Sequence, residues 1–188
     1  APPIMSTNAM IEKNDFISIY YLYICVKVIK NFVYAMNSLP KLTFPAINLR
    51  ATRNGNRTLV FDSVRQIYVV LTPEEWVRRH LVEYLIGHCG AALRSIVEEY
   101  PVEINSMPQR ADVVVLNTES QPLLLAECKS TDVNLDRRET LSEVFAQATR
   151  YNSMVKARYI IITNGLRHFC YEATENGYVS LSAFPRLG

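Results

Sequence analysis

Residues 110–130 read RADVVVLNTESQPLLLAECKS, and the fold turns on how this stretch is taken. It holds two short apolar runs, 113–116 and 123–126, separated by NTESQP. Val- and Leu-rich runs of this length around Asn, Ser and Pro predict two antiparallel strands joined by a short loop. A carboxylate bounds each run: Asp112 precedes the first, Glu127 follows the second, and Lys129 comes two residues later. A loop centred between Glu119 and Ser120 puts Asp112 directly opposite Glu127, with Cβ atoms roughly 4.5–5.5 Å apart. Side chains two apart on a strand share a face, so Lys129 points with Glu127. Burying a bare charge is costly, so charges beside such apolar runs must be paired, hydrated or metal-bound. Two carboxylates and an ammonium converging on one spot suit a hard divalent cation such as Mg²⁺, which prefers oxygen ligands. The plainer alternative is a surface salt bridge on a hairpin.

Downstream, residues 130–138 are polar and predict a surface loop beside this spot. Residues 139–156 predict a helix with an apolar stripe of Leu141, Val144, Phe145, Ala148, Met154 and Val155. Gln147 and Tyr151, four apart, are neighbours on it. The wholly apolar YIIIT at 159–163 predicts a buried parallel strand reached by that helical crossover. Asn164-Gly165 makes a turn, and 168–173 and 178–182 predict a closing hairpin around Glu175-Asn176-Gly177.

Upstream, 95–105 (SIVEEYPVEIN) predicts a strand in which Pro101 implies an edge or a bend, and 105–109 a loop. Thr72-Pro73-Glu74-Glu75 predicts a helix start, with Thr72 as cap, Pro73 in the first turn and Glu75 completing a capping box. The helix is expected to run to about Cys89, with Gly90 as its stop. Its apolar face is Trp76, Val77, His80, Leu81, Tyr84 and Leu85, with Glu83 at a solvated edge. His80 and His88 read as structural. Segments 48–53, 58–62 and 66–71 predict a small β-meander around the Asn54-Gly55-Asn56 turn, preceded by an extended 39–45 held by two prolines. The expected fold is α/β (α+β): a mixed central sheet flanked by helices, with a small N-terminal β-meander.

The 188 residues carry a formal net charge of +2, one domain's worth of chain without the surplus of a histone-like polyanion binder. Cys25, Cys89, Cys128 and Cys170 form no C-x-x-C pair and predict reduced thiols. His80, His88 and His168 show no zinc spacing. The six glycines form neither G-x-G-x-x-G nor a P-loop, which argues against a Rossmann oxidoreductase and an attached P-loop motor. Residues 1–38 differ in texture. FISIYYLYICVKVIKNFVYA at 16–35 is aromatic and β-branched, but Lys27 and Lys30 interrupt it, which weakens a membrane span. No small-residue cleavage site follows for a signal peptide. A packed N-terminal element, or an extension before a start near Met36, is preferred. The expected organisation is therefore an N-terminal extension at 1–38 and a domain at 39–188.

An Asp on one strand, Glu-x-Lys on the next, then a helix and a strand, resembles the PD-(D/E)XK nuclease superfamily. Gln147-Ala148-Thr149-Arg150-Tyr151 is similar to the Q-x-x-x-Y motif of some branches, including the N-terminal nuclease domain of type I restriction enzyme R subunits. LPKLTFPAINLR, VVLTPEEWVRRHLVEYL and YIIITNGL look like the small-protein branch of that group. The resemblance runs from about residue 39 to the C-terminus; it departs at Ala111, where the superfamily's name has Pro. It implies a restriction-endonuclease-like fold and a Mg²⁺-dependent nuclease hydrolysing DNA, with Mn²⁺ as a substitute. Asp112 and Glu127 would bind the metal through their carboxylates, and Cys128 through its backbone carbonyl. Lys129 would position the attacking water and stabilise the pentavalent transition state. Gln147 and Tyr151 would contact the nucleic-acid backbone or support the site. Arg150, with Arg137, Arg138 and Lys156, is a candidate for phosphate contacts or a solvated charge. The implied partners are DNA, restriction–modification or helicase subunits, and a second copy; the implied location is the cytoplasm. The alternative is a non-cutting module of the same fold that binds nucleic acid or a partner protein.

Overall fold

The computed structural model describes residue 18 and residues 39–188; the expectations for 16–35, Cys25 and Met36 lie outside them. The chain divides into two units, Ala1–Leu39 and Pro40–Gly188, and the elements below belong to the second. Three strands, β1 (Ala51–Asn54), β2 (Arg57–Asp62) and β3 (Ile67–Val70), form an antiparallel sheet in sequence order. Its register sets Ala51 opposite Val60 and Val60 opposite Val69. Gly55 turns β1 into β2 at a φ of +57°.

Helix α1 (Pro73–Gly87) starts as its sequence dictates. The Glu75 N–H donates to Thr72 Oγ1 at 3.0 Å, and Pro73 occupies a position where a missing N–H costs nothing. The helix buries Trp76, Val77, His80, Leu81 and Leu85 and leaves Glu83 exposed. It also buries Glu75, Arg78 and Arg79, which hydropathy alone assigns to water.

Those charges form an ion cluster that ties the small sheet to the large one. Arg79 Nη1 meets Asp62 Oδ1 of β2 at 2.9 Å and its Nε meets Glu75 Oε1 at 2.7 Å. Its other nitrogen donates to Glu98, and Arg65 binds Asp62 from the turn after β2. Burial pushes the Asp62 carboxyl upward, but hydrogen bonds from Arg65 and the charges of Arg79 and Arg65 outweigh it, so it lies below its usual value.

The second sheet has six strands in sequence order: β4 (Ile96–Ile104), β5 (Met107–Leu116), β6 (Pro122–Cys128), β7 (Tyr159–Thr163), β8 (His168–Thr174) and β9 (Gly177–Leu181). Every pairing is antiparallel except β6–β7, where Leu125 lies beside Ile160. Helix α2 (Arg138–Val155) makes that parallel crossover. Its Val144, Ala148, Tyr151 and Val155 pack on Val114, Leu125, Ile160 and Ile162. Helix α1 packs against β5 and β6. The central strands therefore bury consecutive residues, as doubly covered strands do: Leu124, Leu125, Ala126, Ile160, Ile161 and Ile162 are all inaccessible. The architecture is the expected mixed α/β one. Pro101 falls on β4, the edge strand, where a missing N–H costs no interior ladder bond.

Three local expectations are corrected. Residues 107–109 are strand, not loop, because Asn105 and Ser106, at φ of +51° and +61°, reverse the chain in two residues. Met154 is 58% exposed; Tyr151 and Asn152 take the inward positions. Leu135, inside the polar 130–138 stretch, is a core residue.

Candidate functional site

The β5–β6 register pairs Val113 with Ala126, so the next pair along is Asp112 with Glu127. On the other side, β4 pairs Glu98 with Val113 and Tyr100 with Ala111. Glu99, at a φ of +52°, therefore stands level with Asp112 where the ladder skips a pair. Carboxylates from three adjacent strands gather here, and α1 and α2 each supply groups to them.

Glu127 Oε1 accepts from Lys129 Nζ at 3.0 Å and from Gln147 Nε2 at 2.7 Å. Lys129 also donates to Gln147 Oε1 at 3.3 Å. Gln147 donates on to the Tyr151 hydroxyl at 3.2 Å, and that hydroxyl to Gln109 Oε1 at 3.4 Å. Asp112 Oδ2 accepts from the Cys128 N–H at 2.7 Å and Oδ1 from Arg78 Nη2 at 2.8 Å. Arg78 reaches Glu99 at 2.8 Å, Glu75 at 3.1 Å and Glu74 at 3.3 Å as well. The Asp, Glu, Lys, Gln and Tyr named by the sequence thus lie together, in two hydrogen-bonded sets that meet at the Glu127–Cys128 backbone. Arg150 stands apart, exposed on α2 beside a hollow lined by Ile104, Asn105, Met107 and Gln109. Arg137, Arg138 and Lys156 are exposed.

Charge in this cluster is strongly perturbed. Burial, then the adjacent Asp112, pushes Glu127 up to about 8 against the pull of Lys129. Burial also raises Asp112, although Arg78, the Cys128 N–H and Lys129 oppose it. Burial alone would lower Lys129; Glu127 and Asp112 reverse that and keep it an ammonium. Such mutual perturbation in a set of touching groups is a feature of working sites as well as of ion-pair networks.

The Glu127 Oε2 atom is buried and has no hydrogen-bond partner. Each carboxylate oxygen offers two lone-pair directions, so Asp112 keeps acceptor capacity beyond its two hydrogen bonds. The donor set is two carboxylates and a strand carbonyl at Cys128, all hard oxygens, which fits Mg²⁺ or Mn²⁺ rather than a thiophilic ion. Among the described residues no group of three or more His, Cys, Asp or Glu is arranged to hold a metal; this donor set relies on a backbone carbonyl for its third member.

The residue that sequence reasoning missed is Arg78, with its partners Glu74, Glu75 and Glu99. Glu74–Arg78 and Glu75–Arg78 are spaced for helix ion pairs, and that was the available signal. That the arginine bends inward to Asp112 depends on the packing of α1 against β5, which spacing does not reveal.

A family model described as the type I restriction enzyme R protein N terminus matches residues 73–185, more than half of the chain. A solved fragment of a putative HsdR subunit of a type I restriction enzyme from Vibrio vulnificus YJ016 aligns with a TM-score of 0.48 at 19% identity. The alignment covers 62% of this chain and 24% of that one, so this chain spans about a quarter of that chain's length. No curated protein matches the chain.

Proposed function

The chain belongs to the family of type I restriction enzyme R protein N termini, and from that premise we propose that it is a Mg²⁺-dependent nuclease module of the PD-(D/E)XK kind, hydrolysing DNA phosphodiester bonds. The observation that carries the reading is the hydrogen-bonded set of Glu127, Lys129 and Gln147, with Glu127 Oε2 unpaired, beside Asp112, which holds the N–H of the next residue, Cys128. Asp112, Glu127 and the Cys128 carbonyl would hold the ion. When bound, Mg²⁺ supplies Lewis acidity and acidifies a water molecule, and Mn²⁺ can replace it.

The remaining work falls to the chain's own side chains. Gln147 and Lys129 both engage Glu127 Oε1, which fixes the carboxylate and leaves Oε2, without a partner of its own, as the oxygen that would hold the ion. Lys129, held as an ammonium, cannot act as a base near neutrality. It orients the attacking water and offsets negative charge on the phosphorane, the preorganised stabilisation that dominates many such reactions. Tyr151 steadies Gln147 through its hydroxyl. Arg150, exposed on α2 apart from the cluster, is assigned to backbone phosphate further along the DNA strand.

The partners on this reading are DNA and the other parts of a restriction–modification assembly, including helicase subunits, with a second copy as a further candidate. These would select the target. No described helix is long and apolar enough to cross a membrane, and segment 16–35 lies outside the described residues; a cytoplasmic site of action belongs to the restriction–modification reading itself.

The test is cleavage of single-stranded, duplex and branched DNA by the purified chain in Mg²⁺ or Mn²⁺. Asp112→Asn and Lys129→Ala should each lower the rate by roughly a hundredfold or more. Cleavage that survives both substitutions refutes the site. A second reading, the non-cutting module, is favoured by the Arg78 guanidinium already paired to Asp112. It predicts salt-sensitive DNA binding without turnover in either metal.

A further inference from the structure

We propose that the outward face of the β1–β3 sheet binds single-stranded nucleic acid, with bases stacked on Tyr68 and phosphates held by Arg50 and Arg57. Residues alternate along these strands, and the two faces differ along β2, although Ile67, opposite Asp62 on the inner face, is itself 50% exposed at the sheet's end. Val60 and Asp62 lie on one face and are inaccessible to solvent; this is the face held by the Arg79 cluster. The other face carries Arg57, Leu59 and Phe61 from β2, Thr52 from β1, and Tyr68 and Val70 from β3. Tyr68 is 47% exposed and Val70 40%, an apolar display that the small sheet does not need for its own packing.

The arrangement of this face is specific. Arg50, whose carbonyl accepts from the Phe61 N–H at 2.8 Å, lays its guanidinium over the Phe61 ring at 3.7 Å. The Tyr68 ring meets Phe61 edge-on with centroids 5.3 Å apart. Arg50, Phe61 and Tyr68 therefore form one cross-strand row, in which an arginine plane and an aromatic ring both present flat surfaces. Bases stack on such planes irrespective of sequence, provided they are not already paired.

Charge decides the occupant. Residues 39–71 contain five basic side chains, Lys41, Arg50, Arg53, Arg57 and Arg65, and one carboxylate, Asp62. That carboxylate is on the buried face and bound to Arg65 and Arg79. The open face and the adjoining β1–β2 turn thus carry arginines and no acid, within a chain whose overall charge is only +2. A polyanion matches this local excess, and an acidic backbone with exposed bases matches the row of rings. Among the described residues no helix projects from this face to enter a duplex groove. This surface is separate from the cluster around Asp112, and its occupancy requires no cleavage.

The test uses the full chain in EDTA, so that no metal-dependent cleavage intervenes. Fluorescence anisotropy measures affinity for a labelled oligothymidylate and for a duplex of equal length, over a range of salt. Tyr68→Ala should weaken oligothymidylate binding roughly tenfold, within the span seen for loss of one base stack, while Tyr68→Phe keeps it. Arg50→Gln with Arg57→Gln should flatten the salt dependence. Unfolding midpoints should stay near that of the wild type, because these side chains are exposed. Wild-type binding by both Tyr68→Ala and the double arginine variant overturns the proposal. So does preference for duplex that ignores Tyr68, or a concentration-dependent dimer that Tyr68→Ala abolishes, since a second copy would then be the occupant. Because the assay reads binding in EDTA and the variants lie outside the Asp112 cluster, loss of cleavage in Mg²⁺ with oligothymidylate binding intact sinks the nuclease reading alone, and the reverse pattern sinks this inference alone.

Discussion

Replacing Glu127 by Gln should stabilise the metal-free protein at alkaline pH and do nothing in acid. Glu127 is buried, and burial with the neighbouring Asp112 lifts its pKa to about 8 from an ordinary 4.5. In the unfolded chain the carboxyl ionises near its ordinary value. Below that value both states carry the proton, and the group does not favour unfolding. As pH rises towards 8 the unfolded chain sheds its proton and the folded one resists, so folding loses ground with every unit and the loss levels off above 8. About 3.5 units at roughly 1.4 kcal/mol each sets a ceiling of about 5 kcal/mol; structural relaxation around the charge brings the expected value to about 2–4 kcal/mol. Gln keeps the carbonyl oxygen that Lys129 and Gln147 address and puts an amide where Oε2 lacked a partner. Urea titrations followed by Trp76 fluorescence in EDTA, at pH 5, 7 and 8.5, read the difference. The gap between Glu127→Gln and wild type should be small at pH 5 and widest at pH 8.5. A gap independent of pH, or a variant less stable than wild type at pH 8.5, would refute the reasoning.

Arg79→Met should cost about 3–5 kcal/mol, because it removes the guanidinium that Asp62, Glu75 and Glu98 share in a buried setting and leaves them to Arg65 and Arg78 alone; denaturant unfolding checks this, and a loss under about 1 kcal/mol would mean that water enters the cluster freely. His168 is hydrogen-bonded through both ring nitrogens, to the Thr43 and Thr163 hydroxyls, each at 2.7 Å. Burial lowers its pKa to about 4, so its contribution is complete above about 6.5 and is lost as pH falls from there towards 4. Because the ring is only part-buried, the discounted loss is about 1–2 kcal/mol; His168→Gln should flatten this acid limb in thermal melts, and an unchanged limb would assign it to other groups.

The core of the fold was legible because it follows local rules. The two apolar runs around NTESQP specify a hairpin, its register follows from the loop, and Gln147 and Tyr151 share a helix face by spacing alone. The Thr72 cap placed the start of α1 for the same reason, although the Glu75 carboxylate turns to Arg78 and Arg79 and leaves the Thr72 N–H to Val70, so the expected capping box closes only on its Thr72 side. What stayed hidden depends on contacts between distant segments. Arg78 and Arg79 look solvated until α1 is set beside β2, β4 and β5, where five carboxylates, Asp62, Glu75, Glu98, Glu99 and Asp112, draw them inward. The Asn105–Ser106 turn needs two positive φ angles without a glycine, so it carried no Asn-Gly signal. Met154 is apolar but off the helical stripe: Tyr151 and Asn152 hold the inward positions between Ala148 and Val155, which leaves Met154 to water. Leu135 shows the converse: one apolar residue in a polar loop carries no periodicity, yet it fills the space beside Val144 in the core.

Anomalous diffraction from crystals soaked in Mn²⁺ tests the central claim most directly. A single peak in contact with Asp112, Glu127 Oε2 and the Cys128 carbonyl, absent from Glu127→Gln crystals treated in the same way, is the predicted result. Crystals that take up Mn²⁺ elsewhere while Arg78 still spans Asp112 and Glu99, with no peak at Glu127, would contradict it.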